Sequence, residues 1–180
     1  MMESNGGFGA LMQEAVKIKG AQQDSMKKVY NTWPEYLQHS LFTPAPVSTL
    51  RTDGSYQDRL QHSIELKEQG GVSFGKGNYE KAYELYSTAI AVFDYAINLD
   101  NNWKTKGIID DSLRVRRETC KEEDRKLYQE IKQVKIALYL NLAACELKRN
   151  RFPECRQACE DVFRIEPDNV KALYRYYIIE

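Results

Sequence analysis

The chain has 180 residues, 42% hydrophobic and 29% charged, with 26 Lys and Arg against 26 Asp and Glu. That balance excludes a broad electrostatic attraction to nucleic acid or anionic membrane. No apolar run reaches the length of a membrane span, about 18 residues, and "MMESNGGFGALMQEAVKIKG" lacks the basic-then-apolar order of a secretory signal. The four cysteines, Cys120, Cys145, Cys155 and Cys159, therefore read as reduced thiols of a cytoplasmic protein.

Residues 1–57 differ from the rest and read as an N-terminal arm. "FGALMQEAVKIKGAQQDSMKKVYNTW" predicts one helix with Leu11, Ala15, Ile18, Met26 and Val29 on its apolar side. Gly20 weakens it, and Trp33-Pro34 ends it, because the residue before proline is pushed out of helical geometry. "LFTPAPVSTLRTDGSY" reads as a linker or an extended strap. The arm is either a flexible tail or a segment that docks on the helical body or on a partner through Trp33, Tyr36, Leu37, Leu41 and Phe42.

Residues 58–180 read as helical throughout, with no sustained two-residue alternation. The first helix runs from Tyr56 or Arg59 to Lys76. In the turn "GKGNY", Gly77 suits the left-handed position and Asn78 an N-cap. The second helix runs from Tyr79 to about Leu99. After "DNNWKTKG", the charge-dense "DDSLRVRRETCKEEDRKLYQEIKQVK" flows into "IALYLNLAACELKRN", predicting a third helix of roughly 25–35 residues. "RVRRETCKEEDRK" reads as its solvated face, or as a protein contact at its tip, with Cys120 the thiol most open to reaction. "NRFPE" is a turn with Pro153 at the start of the fourth helix, which runs to about Ile165. "EPDN" precedes a fifth helix, "VKALYRYYIIE". Cys155 and Cys159 read as core packing, not as a metal site, since no histidine lies near them.

Self-comparison gives the strongest signal. "GKGNYEKAYELYSTAI" aligns with "KRNRFPECRQACEDVF", matching Gly77 with Asn150, Tyr79 with Phe152, Ala82 with Cys155, Tyr86 with Cys159 and Ala89 with Val162. Antiparallel helices pack closely where both offer small side chains, so Gly70 in the first copy and Ala143 in the second mark the close approach. Ala82 and Cys155 are 73 residues apart. A helix-pair repeat has a period of about 34 residues, which leaves an insertion of roughly 39. Repeat one covers about 58–99, the insertion about 95–130, repeat two about 131–166, and a third repeat or capping helix 168–180. Two extended helices joined at their tips would hold the insertion.

These residues resemble the tetratricopeptide repeat, and "KIALYLNLAACELKRNRFPECRQACEDVFRIEPDNVKALYR" resembles the repeat domain of FKBP-type immunophilins and carboxylate-clamp co-chaperones. The resemblance implies an all-α superhelix of two repeats plus a further helix. It also implies a groove for the acidic C-terminal tail of a heat-shock chaperone of the ninety- or seventy-kilodalton class. The family's clamp residues fall on Lys67, Asn141, Lys171 and Arg175; its remaining asparagine falls on Gly71, a departure. Lys171 and Arg175, four apart, share a helix face. A second departure is Tyr177, where the third repeat's first helix wants a small residue. Residues 1–60 are too short for a prolyl isomerase domain, and no phosphate loop or nucleophile–base pair is present. The expectation is therefore a non-enzymatic adaptor without cofactor or metal. The alternative is a structural subunit of a larger assembly, which contacts other subunits through the repeats and the N-terminal arm and keeps an idle clamp.

Overall fold

The structure, a computed structural model, describes residues 5–179, with side chains from residue 9 onward. In chain order the elements are α1 (Asn5–Met26), α2 (Lys28–Thr32), α3 (Glu35–Ser40), α4 (Val47–Asp53), α5 (Tyr56–Gly75), α6 (Tyr79–Ile90), β1 (Asp94–Asn98), α7 (Trp103–Lys106), a 3-10 turn (Asp110–Ser112), β2 (Leu113–Arg117), α8 (Arg125–Lys148), α9 (Phe152–Phe163) and α10 (Val170–Tyr177). The described residues form two compact units, one of 5–33 with 97–114, the other of 34–96 with 115–179.

In the first unit, α1 and α2 meet at Lys27, and Trp33 turns extended before Pro34. Lys27 offers α2 no side-chain cap. The Asp110 carboxylate supplies one from afar, accepting the Val29 N–H at 2.8 Å and the Tyr30 N–H at 3.0 Å. A carboxylate at a helix N-terminus also meets the positive end of the helix dipole. Along α1 the apolar side chains stay open: Leu11 is 71% exposed and Val16 68%.

The second unit is built on α5–α6 and α8–α9, two packed helix pairs, with α6 against α8 and α10 against α9. Ser55 and Asp58 close a reciprocal capping box that starts α5. Asn78 caps α6 through its bond from the Lys81 N–H, and Pro153 sits in the first turn of α9. The two inter-helix turns are equivalent: Gly77 and Asn150 both take positive φ, 76° and 59°. The aligned Ala82, Cys155, Tyr86, Cys159, Ala89 and Val162 are all buried. A Cβ on Gly70 would lie 2.5 Å from the Tyr86 ring, so the side chain is absent because the ring occupies its place.

The insertion departs from the expected pair of extended helices. α6 stops at Ile90, and Ala91–Ala96 are buried in succession. Val92, Phe93 and Tyr95 are β-branched or aromatic and favour extended backbone. Leu113-Arg114-Val115-Arg116 alternates apolar with charged, a short two-residue period that the reading of the chain as wholly helical passed over. β1 and β2 pair as an antiparallel ribbon. Hydrogen bonds Glu118–Phe93 and Leu99–Ser112 flank the ladder and set Asp94 opposite Arg117. The third helix consequently begins at Arg125, and residues 114–124 of "RVRRETCKEEDRK" form a strand and a loop before it, not a helix face. Cys120 is buried, and burial pushes its thiol pKa up, the reverse of a reactive cysteine.

The Pro-containing part of the arm is largely helical, as α3 and α4, and in the second unit it docks on the helical body. Tyr36, Leu37 and Val47 are buried, while Phe42 stays exposed. Val47 joins Leu60, Val92, Phe93, Cys120 and Ile131 in one apolar cluster. Among the described residues no helix is long and apolar enough to cross a membrane.

Candidate functional site

α5 and α8 are the first helices of the two pairs, α10 follows α9, and α8 packs against both α5 and α10. Lys67 and Gly71 lie on α5, Asn141 on α8, Lys171 and Arg175 on α10. Lys67, Asn141 and Arg175 are half-buried; Gly71 and Lys171 are exposed. Among the described residues, no hydrogen bond or ion pair engages the side chains of Lys67, Asn141 or Lys171. The Asn141 amide, inside the apolar run "LYLNLAAC", thus has no backbone partner to account for it.

Arg175 is more unusual. Its Nη1 is buried without a hydrogen-bond partner. Its charge also acts on Cys155 and Cys159, two buried thiols that hydrogen-bond to each other. That bond pulls the Cys155 pKa down and pushes Cys159 up. An unsatisfied buried donor costs about 1–3 kcal/mol, more when charged.

Gly71 differs from its neighbour. A Cβ there would find nothing nearer than the Tyr86 hydroxyl at 3.9 Å. No packing requirement keeps a side chain out. Tyr177, at the expected small position, is 68% exposed, and Ile178 is also exposed.

A separate cleft of about 370 Å³ lies between α3 and α6. Glu35, Glu80 and Glu84 line it with Arg149, and it includes none of the four candidate side chains. Its carboxylates disfavour an acidic ligand.

Sequence reasoning missed a buried ionic core. Asp94 on β1 accepts from Lys135 Nζ at 2.6 Å and from the Tyr139 hydroxyl at 2.5 Å, with Arg117 at 3.6 Å. Asp161 on α9 accepts from the Tyr36 hydroxyl at 2.5 Å, from Arg117 at 3.3 Å, and from Arg164. The core ties the arm, the ribbon and both helices of repeat two together. Burial pushes the Tyr36 and Tyr139 hydroxyls well above their ordinary pKa, which keeps them as donors. One signal was available: a carboxylate inside the apolar run "AVFDYAI" must find partners when buried.

Glu118, just after β2, takes Arg59 Nη1 at 2.5 Å and the Tyr95 hydroxyl at 2.7 Å. Burial pushes its carboxyl up, but the bonds from Tyr95 and Arg59 outweigh this and hold its pKa below 4.5. A depressed carboxylate stabilises the fold above its unfolded pKa, and that stability is lost as pH falls through the folded one. Thermal unfolding is therefore expected to show destabilisation as pH falls below about 4.5, with a shallower decline in Glu118→Gln.

No family model matches the chain. It is 28% identical over 121 residues to FK506-binding protein 59 of Drosophila melanogaster, covering 67% of this chain and 21% of that protein. It is 25% identical over 119 residues to human peptidyl-prolyl cis-trans isomerase FKBP4, covering 66% and 21%. The chain thus spans about a fifth of the length of the curated relatives it matches. Among solved structures it resembles the C-terminal TPR-containing domain of a Plasmodium falciparum FK506-binding protein, with TM-score 0.53 and 23% identity over 72% of this chain and 70% of that one. The fold is a tetratricopeptide-repeat superhelix. Its similarity is to the repeat region of FKBP-type immunophilins. Between the two repeats α8 does run to 24 residues, but α6 stops at Ile90 and the ribbon stands where its extension was expected.

Proposed function

We propose that this tetratricopeptide-repeat chain is an interaction adaptor, a co-chaperone that grips the acidic C-terminal tail of a cytosolic heat-shock chaperone. Lys67, Asn141, Lys171 and Arg175 are the gripping side chains. The observation that carries this reading is unspent hydrogen-bonding capacity on three helices, α5, α8 and α10, with α8 against both others, above all the buried, partnerless Nη1 of Arg175. A peptide ending in Asp presents two carboxylates at one point. Lysine and arginine neutralise them, and an arginine holds one in a two-pronged bond. The asparagine amide holds the peptide backbone.

Fluorescence anisotropy with a labelled peptide ending Glu-Glu-Val-Asp tests the reading. Lys171→Ala with Arg175→Ala should weaken binding at least about tenfold, since charge-assisted bonds contribute roughly 1.5–3 kcal/mol each. Gly71→Asn, which the open space at that position admits, should tighten it. No binding at about 1 mM peptide, a bound worth about 4 kcal/mol, sinks the proposal. So does undiminished binding by the double variant.

Gly71 itself favours a second reading, in which the repeats brace a larger assembly and the grip is idle. A pull-down that recovers the same fixed set of non-chaperone subunits with the wild-type chain and the double variant would favour it.

A further inference from the structure

A second set of cations lies on the other side of α8. A pocket of about 210 Å³ is lined by Thr119, Tyr128, Lys132, Lys135, Arg164 and Ile165. Tyr128, Lys132 and Lys135 are spaced four and three along α8, so they share one face. Lys132 and Asn141 are nine residues apart, which turns them to about 180° from each other at 3.6 residues per turn. The pocket is therefore distinct from the grip proposed above.

Its chemistry is one-sided. Every polar side chain in the lining can donate a hydrogen bond, three are cationic, and none is a carboxylate. The carboxylates behind its wall are already over-subscribed. Asp94 is shared by Lys135 and Arg117, and Asp161 by Arg117 and Arg164. Three cations on two carboxylates leave one positive charge in excess. Glu118 does not offset it, because its carboxylate is committed to Arg59 and Tyr95. Lys132 has no ion pair among the described residues and adds a second positive charge. Donor capacity is also unspent. Lys135 Nζ has three N–H groups and directs bonds to two acceptors, Asp94 and the Glu118 carbonyl. The Thr119 and Tyr128 hydroxyls make no hydrogen bond among the described residues. At the C-terminal end of α9, the Glu160 and Val162 carbonyls are taken up by the N–H groups of Arg164, Ile165 and Glu166.

We propose that this pocket binds a phosphate group. Two uncompensated positive charges match a dianion. Donors from α8, from the end of α9 and from Thr119 come from several directions, which suits a tetrahedral oxyanion better than a planar carboxylate. The phosphate is either free or carried on a phosphorylated side chain of a partner.

Titration calorimetry of the intact chain with inorganic phosphate, N-acetyl-phosphoserine amide and N-acetyl-serine amide tests the proposal, with amide NMR shifts locating the site. Saturable binding of one or both phosphate compounds, none of the serine compound, and shifts centred on residues 128–135 and 164 are expected. Tighter binding of the phosphoserine compound marks a phosphorylated partner, and tighter binding of inorganic phosphate marks the free ion. Lys132→Glu, at a half-buried residue without an ion pair, should weaken phosphate binding at least tenfold and leave binding of the Glu-Glu-Val-Asp peptide unchanged. Lys132→Gln, which keeps the length and removes the charge, should do the same if the glutamate variant folds poorly. Absence of saturable phosphate binding, unchanged binding in both Lys132 variants, or loss of phosphate binding only in the Lys171→Ala, Arg175→Ala variant overturns it.

Discussion

Asp94→Ala is expected to destabilise the protein by about 3–5 kcal/mol, the range for removing one partner of a buried ion pair. Asp94 is 1% exposed, and its removal strands the buried Lys135 ammonium and the Tyr139 hydroxyl together. The loss comes mainly from the charge left behind, not from the strength of the pair. Burying two charges is itself costly, so the wild-type pair contributes little net stability. A double-mutant cycle separates these effects. Asp94→Leu alone should cost nearly as much as Asp94→Ala, whereas Asp94→Leu with Lys135→Met should recover a substantial part. Urea unfolding midpoints at constant m-value give the numbers. A double variant no more stable than Asp94→Leu would show that Arg117, and not Lys135, needs the carboxylate.

The adjacent glycines of α5 should respond in opposite directions. By helix propensity, alanine at either position gains up to about 1 kcal/mol. At Gly71 nothing opposes the gain, because the added Cβ enters open space. At Gly70 the Cβ lies 2.5 Å from the Tyr86 ring, so ring or helix must move. Such overpacking costs roughly 1–3 kcal/mol, and Gly70→Ala is expected to be net destabilising where Gly71→Ala is stabilising. The second repeat shows how the fold accommodates alanine, since Ala143 and Cys159 stand where Gly70 and Tyr86 stand in the first. Combining Gly70→Ala with Tyr86→Cys should therefore cost less than the two single changes added together. Additivity would refute a direct contact between positions 70 and 86 as the reason for the glycine.

Much of the repeat domain was legible in the chain. Gly77 and Asn150 align as turn residues in the sequence, and both take positive φ. Asn78, Pro153 and the buried small positions likewise follow from local rules of capping and close packing. The placement of Lys67, Asn141, Lys171 and Arg175 on α5, α8 and α10 was legible as well, because each has a fixed register within a helix. Their freedom from partners was not, since it depends on which carboxylates approach from elsewhere.

The insertion marks the boundary. Its charged residues read as a solvated helix because spacing alone does not tell a short alternating strand from part of a helix face. Arg117 instead lies opposite Asp94 in the ribbon and also reaches Asp161 on α9. The arm depended on the same kind of information: Tyr36 is held by Asp161, 125 residues away. By itself the sequence determined the helix pairs, their turns and the glycine at their closest approach, because those rest on neighbours within one repeat. Tertiary structure alone decided the ribbon, the docking of α3 and the sharing of two buried carboxylates among three cations. A buried charge is tolerated according to which partners the whole fold brings within hydrogen-bonding distance, and no local pattern records them.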